Sequence, residues 1–142
     1  TWAVPSSAQP LRILLQCKAG GAQKVGPHLI RELEGAFAGA PVGWREQAGV
    51  VGFLVAEKPA TKGIRDSLGR SRYPMGFVTC SSGGAVSQML WNRRAEEEGL
   101  AGMGVGLRHG SDGNSQVVLT WEGKHLPLLA SAHGSLSTKD ET

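Results

Sequence analysis

Long apolar runs are missing from this chain of 142 residues: no window approaches the ~20 consecutive apolar positions of a membrane-spanning helix, so a soluble protein with no membrane partner is expected. Cysteine is scarce as well. Cys17 and Cys80 stand alone, with no Cys-x-x-Cys pair and no Cys/His spacing of the zinc type, which argues against a disulfide framework and against a thiolate metal centre. Both lie inside apolar runs and are expected to be buried free thiols of a reducing, intracellular compartment. The four histidines, His28, His109, His125 and His133, show no ligand spacing and read as loop or surface residues. There is no Gly-x-Ser-x-Gly elbow, which removes the usual hydrolase arrangement. Ser81-Ser82-Gly83-Gly84 lacks the Lys-Ser/Thr that follows in a phosphate loop and reads as the opening of a helix. No internal repeat is present. The first ten residues offer neither a basic start nor an apolar core, and there is no initiating Met, so the chain is expected to be a piece of a longer one.

What is present is one domain's worth of sequence. A folded chain of ~150 residues buries about 68–70% of the surface its unfolded form exposes, enough for one core. Hydrophobic content of 40% and charged content of 19% place it among globular domains. A net charge of +3 and a pI near 9.1 suit a polyanionic partner without demanding one.

The central stretch is Leu11 to Lys18, an apolar run that ends in two polar side chains on alternate positions, Gln16 and Lys18. In a strand, Leu14, Gln16 and Lys18 share one face, and Ile13, Leu15 and Cys17 the other. Trp2 to Val4 reads as the end of a preceding strand, with a turn over residues 5–10 between the two. After a Gly-rich loop carrying Lys24, Gly26-Pro27 opens a helix to about Phe37, with Leu29, Ile30, Leu33 and Phe37 as its core stripe and Gly35 as a point of close backbone approach. Val50 to Ala56 is continuously apolar, the pattern of a strand covered on both faces. Thr61 caps a helix to about Gly69 with Ile64 and Leu68 inward. Met75 to Cys80 is a second buried strand, and a third helix is expected from Ser81 to about Glu98 with Val86, Met89 and Leu90 as its stripe. Its terminal acids oppose the helix dipole or pair with Arg93 and Arg94. Met103 to Arg108 and Gln116 to Trp121 read as a hairpin. Residues 1–125 thus form an α/β layer sandwich, three layers about a mixed central sheet, and residues 126–142 a poorly ordered tail.

Three constellations carry candidate chemistry. Gln16 with Lys18 reads as a metal-and-lysine site, or as two solvated residues at a strand end. Lys24, His28, Arg31 and Glu32 stand where the first helix begins, a place that suits a phosphate or is an ordinary solvated face. Lys58, Lys62, Arg65, Arg70 and Arg72, with Tyr73 beside them, track a nucleic-acid backbone or form a charged solvent face.

The segment Ile13-Leu14-Leu15-Gln16-Cys17-Lys18, the loop with Lys24-Val25-Gly26-Pro27, the helix Ile30 to Gly35, the apolar strand and Ala60-Thr61-Lys62-Gly63 together resemble the Mrr-type branch of the restriction-endonuclease-like, PD-(D/E)xK, superfamily. The resemblance runs from about Leu11 to Cys80. Gln88 to Arg93 and Val118 to Lys124 look more specifically like fungal mitochondrial proteins required for respiratory growth. The resemblance implies a restriction-endonuclease-like fold, N-terminally truncated, and a Mg2+- or Mn2+-dependent nuclease acting on DNA, in the mitochondrion, with a homodimer open to it. Carried over by position, Gln16 is a metal ligand, the Cys17 backbone carbonyl is a second, and Lys18 is the catalytic cation beside Gln16. Lys24, Arg31, Lys62 and Arg65, from the two basic constellations, are the expected nucleic-acid contacts, and Glu32 is the one nearby acid that can assist. The family's Asp has no counterpart, since the first aspartate is Asp66, well downstream. The other reading keeps this fold as an inactive nucleic-acid-binding or structural module.

Overall fold

The computed structural model describes residues 11–20, 24–42, 44 and 49–126. The expected strand at Trp2 to Val4, its turn, and all of the tail but Leu126 lie outside them.

Four strands form a mixed sheet in the order β1-β2-β3-β4: β1 (Arg12–Lys18), β2 (Val50–Ala56), β3 (Met75–Cys80) and β4 (Val86–Trp91). The first three are parallel, with Lys18 level with Ala56 and Ala56 with Thr79, while β4 returns antiparallel to β3. Parallel neighbours need crossovers, and these are α1 (His28–Ala38) and α2 (Lys62–Arg70). Both helices use the apolar stripes expected of them. Leu29, Ile30, Leu33 and Phe37 from α1, and Ile64 and Leu68 from α2, pack with Val50, Leu54, Met75 and Phe77 into one cluster on one face of the sheet. Thr61 caps α2, its hydroxyl accepting from the Ile64 N–H at 3.3 Å.

The opposite face carries a second cluster. Val51 and Phe53 of β2 pack there against Leu11, Ala95, Leu100 and Met103, with Leu119, Trp121 and Leu126 on its margin. Met103 and the last three belong to or follow a second sheet of three antiparallel strands, β5 (Met103–His109), β6 (Ser115–Trp121) and β7 (Lys124–His125). The sequence-derived hairpin is therefore β5–β6. The result is an α/β fold in which helices cover one face of a mixed sheet and a small second sheet covers part of the other.

Four expectations need correction. The helix from Ser81 to Glu98 is a strand, β4, followed by a short helical turn, α3 (Arg93–Ala95), that runs on as a π-turn over Glu96–Leu100. Val86, Met89 and Leu90 have helical spacing, but in β4 the apolar residues divide between faces. Leu90 joins the cluster under the helices, and Met89 and Trp91 join the one opposite. Polar Ser87 and Gln88 stand between apolar residues that serve both faces, so β4 has no period-2 signature, which is why the spacing misleads. Correspondingly, Ser81-Ser82-Gly83-Gly84 opens no helix; it is the β3–β4 turn, closed by Ser81 N–H to Ala85 O at 2.9 Å and by Gly84 N–H to Ser81 O at 3.0 Å, with Gly84 at φ +88°. Gly35 makes no close approach, since among the described residues nothing lies within 4 Å of where its Cβ would be. Finally, Cys17 is exposed and Cys80 only half-buried, and Leu15, on the face of Cys17, is 64% exposed. The second cluster takes in Ile13 on that face but neither Leu15 nor Cys17.

Candidate functional site

The carboxyl ends of β1, β2 and β3 lie together at one edge of the sheet, the end at which α/β sheets place their ligands. A shallow cleft of about 200 Å3 opens there, bordered by Lys18, Glu57, Ser81 and Ser82 and by the two cysteines, Cys17 and Cys80. Sequence reasoning singled out neither Glu57 nor the two serines as site residues. The signal that finds them is topological: each follows a parallel strand directly.

Strand alternation turns Gln16 and Lys18 to the helix side of β1. The first turns of α1 meet them there with Glu32. Lys18 Nζ lies 2.7 Å from Glu32 Oε2, and Gln16 Nε2 donates to the same oxygen at 3.2 Å. The three side chains named from sequence therefore converge on one atom. Lys18 is the more sheltered partner, its side chain 24% exposed against 46% for Glu32. The Lys18 ammonium, hydrogen-bonded to the carboxylate, holds the Glu32 carboxyl below its usual range, and the charges of Lys18 and His28 and the Gln16 amide act in the same direction. With its amide nitrogen committed to Glu32, Gln16 leaves Oε1 buried and without a hydrogen-bond partner among the described residues.

A buried carbonyl oxygen without a donor is an atom that asks for one, or for a cation. Hard cations take neutral oxygens of this kind. The Cys17 carbonyl is compatible: Arg12 N–H bonds to Gly49 O at 2.7 Å, so the main-chain groups of Arg12, Leu14, Gln16 and Lys18 face β2, and those of Cys17 face away from it. Gln16 Oε1 and the Cys17 carbonyl thus fit a hard divalent cation as neutral donors. Among the described residues no group of three or more His, Cys, Asp or Glu side chains is placed to hold a metal, so a carboxylate-rich centre is not what these residues make.

Of the other expected contacts, Lys24 and Arg31 are exposed at the start of α1, and Lys62 and Arg65 are exposed on α2. The two helix starts adjoin, since a Cβ on Gly63 would stand 3.1 Å from Pro27 Cγ. Lys62 is engaged by Asp66 at 2.9 Å, and Lys62 accordingly holds the Asp66 carboxyl below its usual range. Arg93 and Arg94 pair with Glu97, and Arg94 also approaches Glu98, which resolves the expected conflict of those acids with a helix dipole. No described helix is long and apolar enough to cross a membrane.

Fold and site together define an α/β domain with a lysine–carboxamide–carboxylate cluster at the carboxyl ends of its parallel strands. The chain belongs to the family described as Required for respiratory growth protein 7, whose pattern it matches over residues 2–106. No curated protein and no solved structure matches it.

Proposed function

We propose that this domain is a nuclease-like module of DNA metabolism with a restriction-endonuclease-like, PD-(D/E)xK type of site, acting on DNA phosphodiesters with Mg2+ or Mn2+. The observation that supports the reading is the buried Gln16 Oε1, without a hydrogen-bond partner among the described residues, two residues from Lys18 on one face of a strand end. Gln16 Oε1 and the Cys17 carbonyl would hold the cation. When bound, that ion supplies activation of the attacking water and polarisation of the phosphate. Lys18 presents a positive charge beside that position, where it counters the charge that grows on the phosphorane-like transition state. Lys24, Arg31, Lys62 and Arg65 meet the DNA backbone, positioning it without reading sequence. The family's description names respiratory growth, a process that depends on mitochondria, and on this reading the mitochondrion is where the domain works.

Because the family's Asp has no counterpart in this sequence, the chain by itself is expected to be inactive or nearly so, and the test is nicking of supercoiled plasmid with Mg2+ or Mn2+ by a version extended upstream. Lys18→Ala is expected to lower the rate about 100-fold or more, the scale for loss of one transition-state donor. Activity that survives this change sinks the assignment.

One observation favours a second reading, a nucleic-acid-binding module without chemistry: Lys18 is neutralised by Glu32 at 2.7 Å. Gel-shift affinity that falls steeply with salt, with no cleavage under any divalent ion, selects it.

A further inference from the structure

A glutamine side chain offers two ends of nearly identical shape and opposite hydrogen-bonding character, an acceptor oxygen and a donor NH2. Which end faces a site is set by the partners of the other end, as a second group sets which nitrogen of a ligating histidine is free. Gln16 has one such partner. Glu32 Oε2 accepts from Gln16 Nε2 at 3.2 Å and from Lys18 Nζ at 2.7 Å, and Gln16 Oε1 is left buried and unpaired among the described residues. A carboxylate accepts only, so it forces the NH2 end of Gln16 toward itself and the carbonyl end away. Lys18 fixes the carboxylate in turn, because an ammonium donates only.

We propose that Glu32 is a positioning residue: by accepting from both Gln16 and Lys18 it orients the Gln16 carboxamide so that the carbonyl oxygen, not the NH2, is presented to a hard divalent cation. The inference rests on reading Gln16 as a cation ligand, but assigns Glu32 no contact with the cation. It gives the acid on α1 a task that its sequence position alone did not reveal. It also accounts for an ion pair in which both partners keep partial exposure, a geometry worth little as a stabilising contact.

The experiment uses the whole chain and Mn2+ alone, with free Mn2+ followed by its paramagnetic resonance and the Gln16 side-chain amide followed by NMR. Glu32→Ala is expected to weaken Mn2+ binding about 10-fold, the lower end for loss of an outer-shell partner. It should also move the Gln16 amide pair to the shifts and fast hydrogen exchange of a free carboxamide. Glu32→Gln restores an acceptor that Lys18 pins toward Gln16, so it should keep the amide shifts near wild type and retain most of the Mn2+ affinity. A merely structural Glu32 would change the melting temperature in both variants and leave Mn2+ affinity alone, which overturns the proposal. Gln16→Ala separates the two ideas. If it abolishes Mn2+ binding while Glu32→Ala does not weaken it, the positioning role falls and the cation-ligand reading stands. If wild type and Gln16→Ala bind Mn2+ alike, the cation-ligand reading falls and this inference with it.

Discussion

Asn92 shows at the scale of one residue how much of the fold is held by polar chemistry. It is buried, and its Oδ1 accepts from Met75 N–H at 3.2 Å and Ala95 N–H at 3.0 Å. Its Nδ2 donates to Leu68 O at 3.0 Å and Tyr73 O at 2.9 Å. One side chain thus ties the end of α2, the start of β3 and the first turn of α3. Asn92→Ala removes four hydrogen bonds and strands three main-chain groups, most of them out of water, since Leu68 O keeps Ser71 N–H; it is expected to destabilise the protein by about 3 kcal/mol, read as a fall in urea midpoint at unchanged slope. A change under about 0.5 kcal/mol, the level of an ordinary surface substitution, refutes this account of the junction. Gln88 plays a similar part nearer the site, its Oε1 accepting from Ala60 N–H and the Thr79 hydroxyl and so fixing where α2 begins.

Elements differ in how much their neighbours allow. On β3, a Cβ on Gly76 would run into the Phe53 ring and stand 2.5 Å from the Leu90 carbonyl oxygen, which the ladder to β4 holds in place. Gly76→Ala is expected to cost about 1–3 kcal/mol, the usual range for overpacking. On α1, Gly35 has room, and Gly35→Ala should add about 0.5–1 kcal/mol by helix propensity. Thermal melts of the pair check both signs, and a gain at Gly76 or a loss at Gly35 contradicts the packing described. The element that sequence misjudged, β4, interrupts its apolar residues with Ser87 and Gln88 and so leaves them at helical spacing, while α1 and α2, with single stripes, were legible to within a residue or two. The hairpin β5–β6 was equally plain from two apolar segments joined by a Gly-Ser-Asp-Gly-Asn turn.

For the whole molecule, stability should depend on pH through exposed acids. Glu32, Asp66 and Asp112 all have carboxyls held below their usual range, by Lys18, by Lys62 and by Asn114 respectively. A carboxyl depressed in the folded state stabilises above its unfolded value and loses that contribution as pH falls through the folded value. The melting temperature should therefore stay level from neutrality down to the ordinary carboxylate range and fall below it, each group contributing little because each is exposed. A melting temperature that rises on acidification contradicts the pairing. Added salt should flatten the same curve.

Sequence by itself determined the apolar stripes of α1 and α2, the buried runs of β2 and β3, the paired segments and turn of β5 and β6, and the placing of Gln16 and Lys18 on one face. All of these are local patterns, and a local pattern is written along the chain. Only the tertiary structure decided that β4 is a strand, because its apolar residues, parted by Ser87 and Gln88, fall at a helix's spacing while serving two different clusters. Only it decided that Cys17 is exposed, because burial depends on which distant residues pack on that face, and the cluster there stops at Ile13. Glu32 shows the same limit from the other direction. The sequence offered it as a nearby acid, but that its Oε2 takes both Lys18 and Gln16, leaving one carbonyl oxygen buried and without a partner among the described residues, follows from the parallel crossover that lays α1 against β1 and β2.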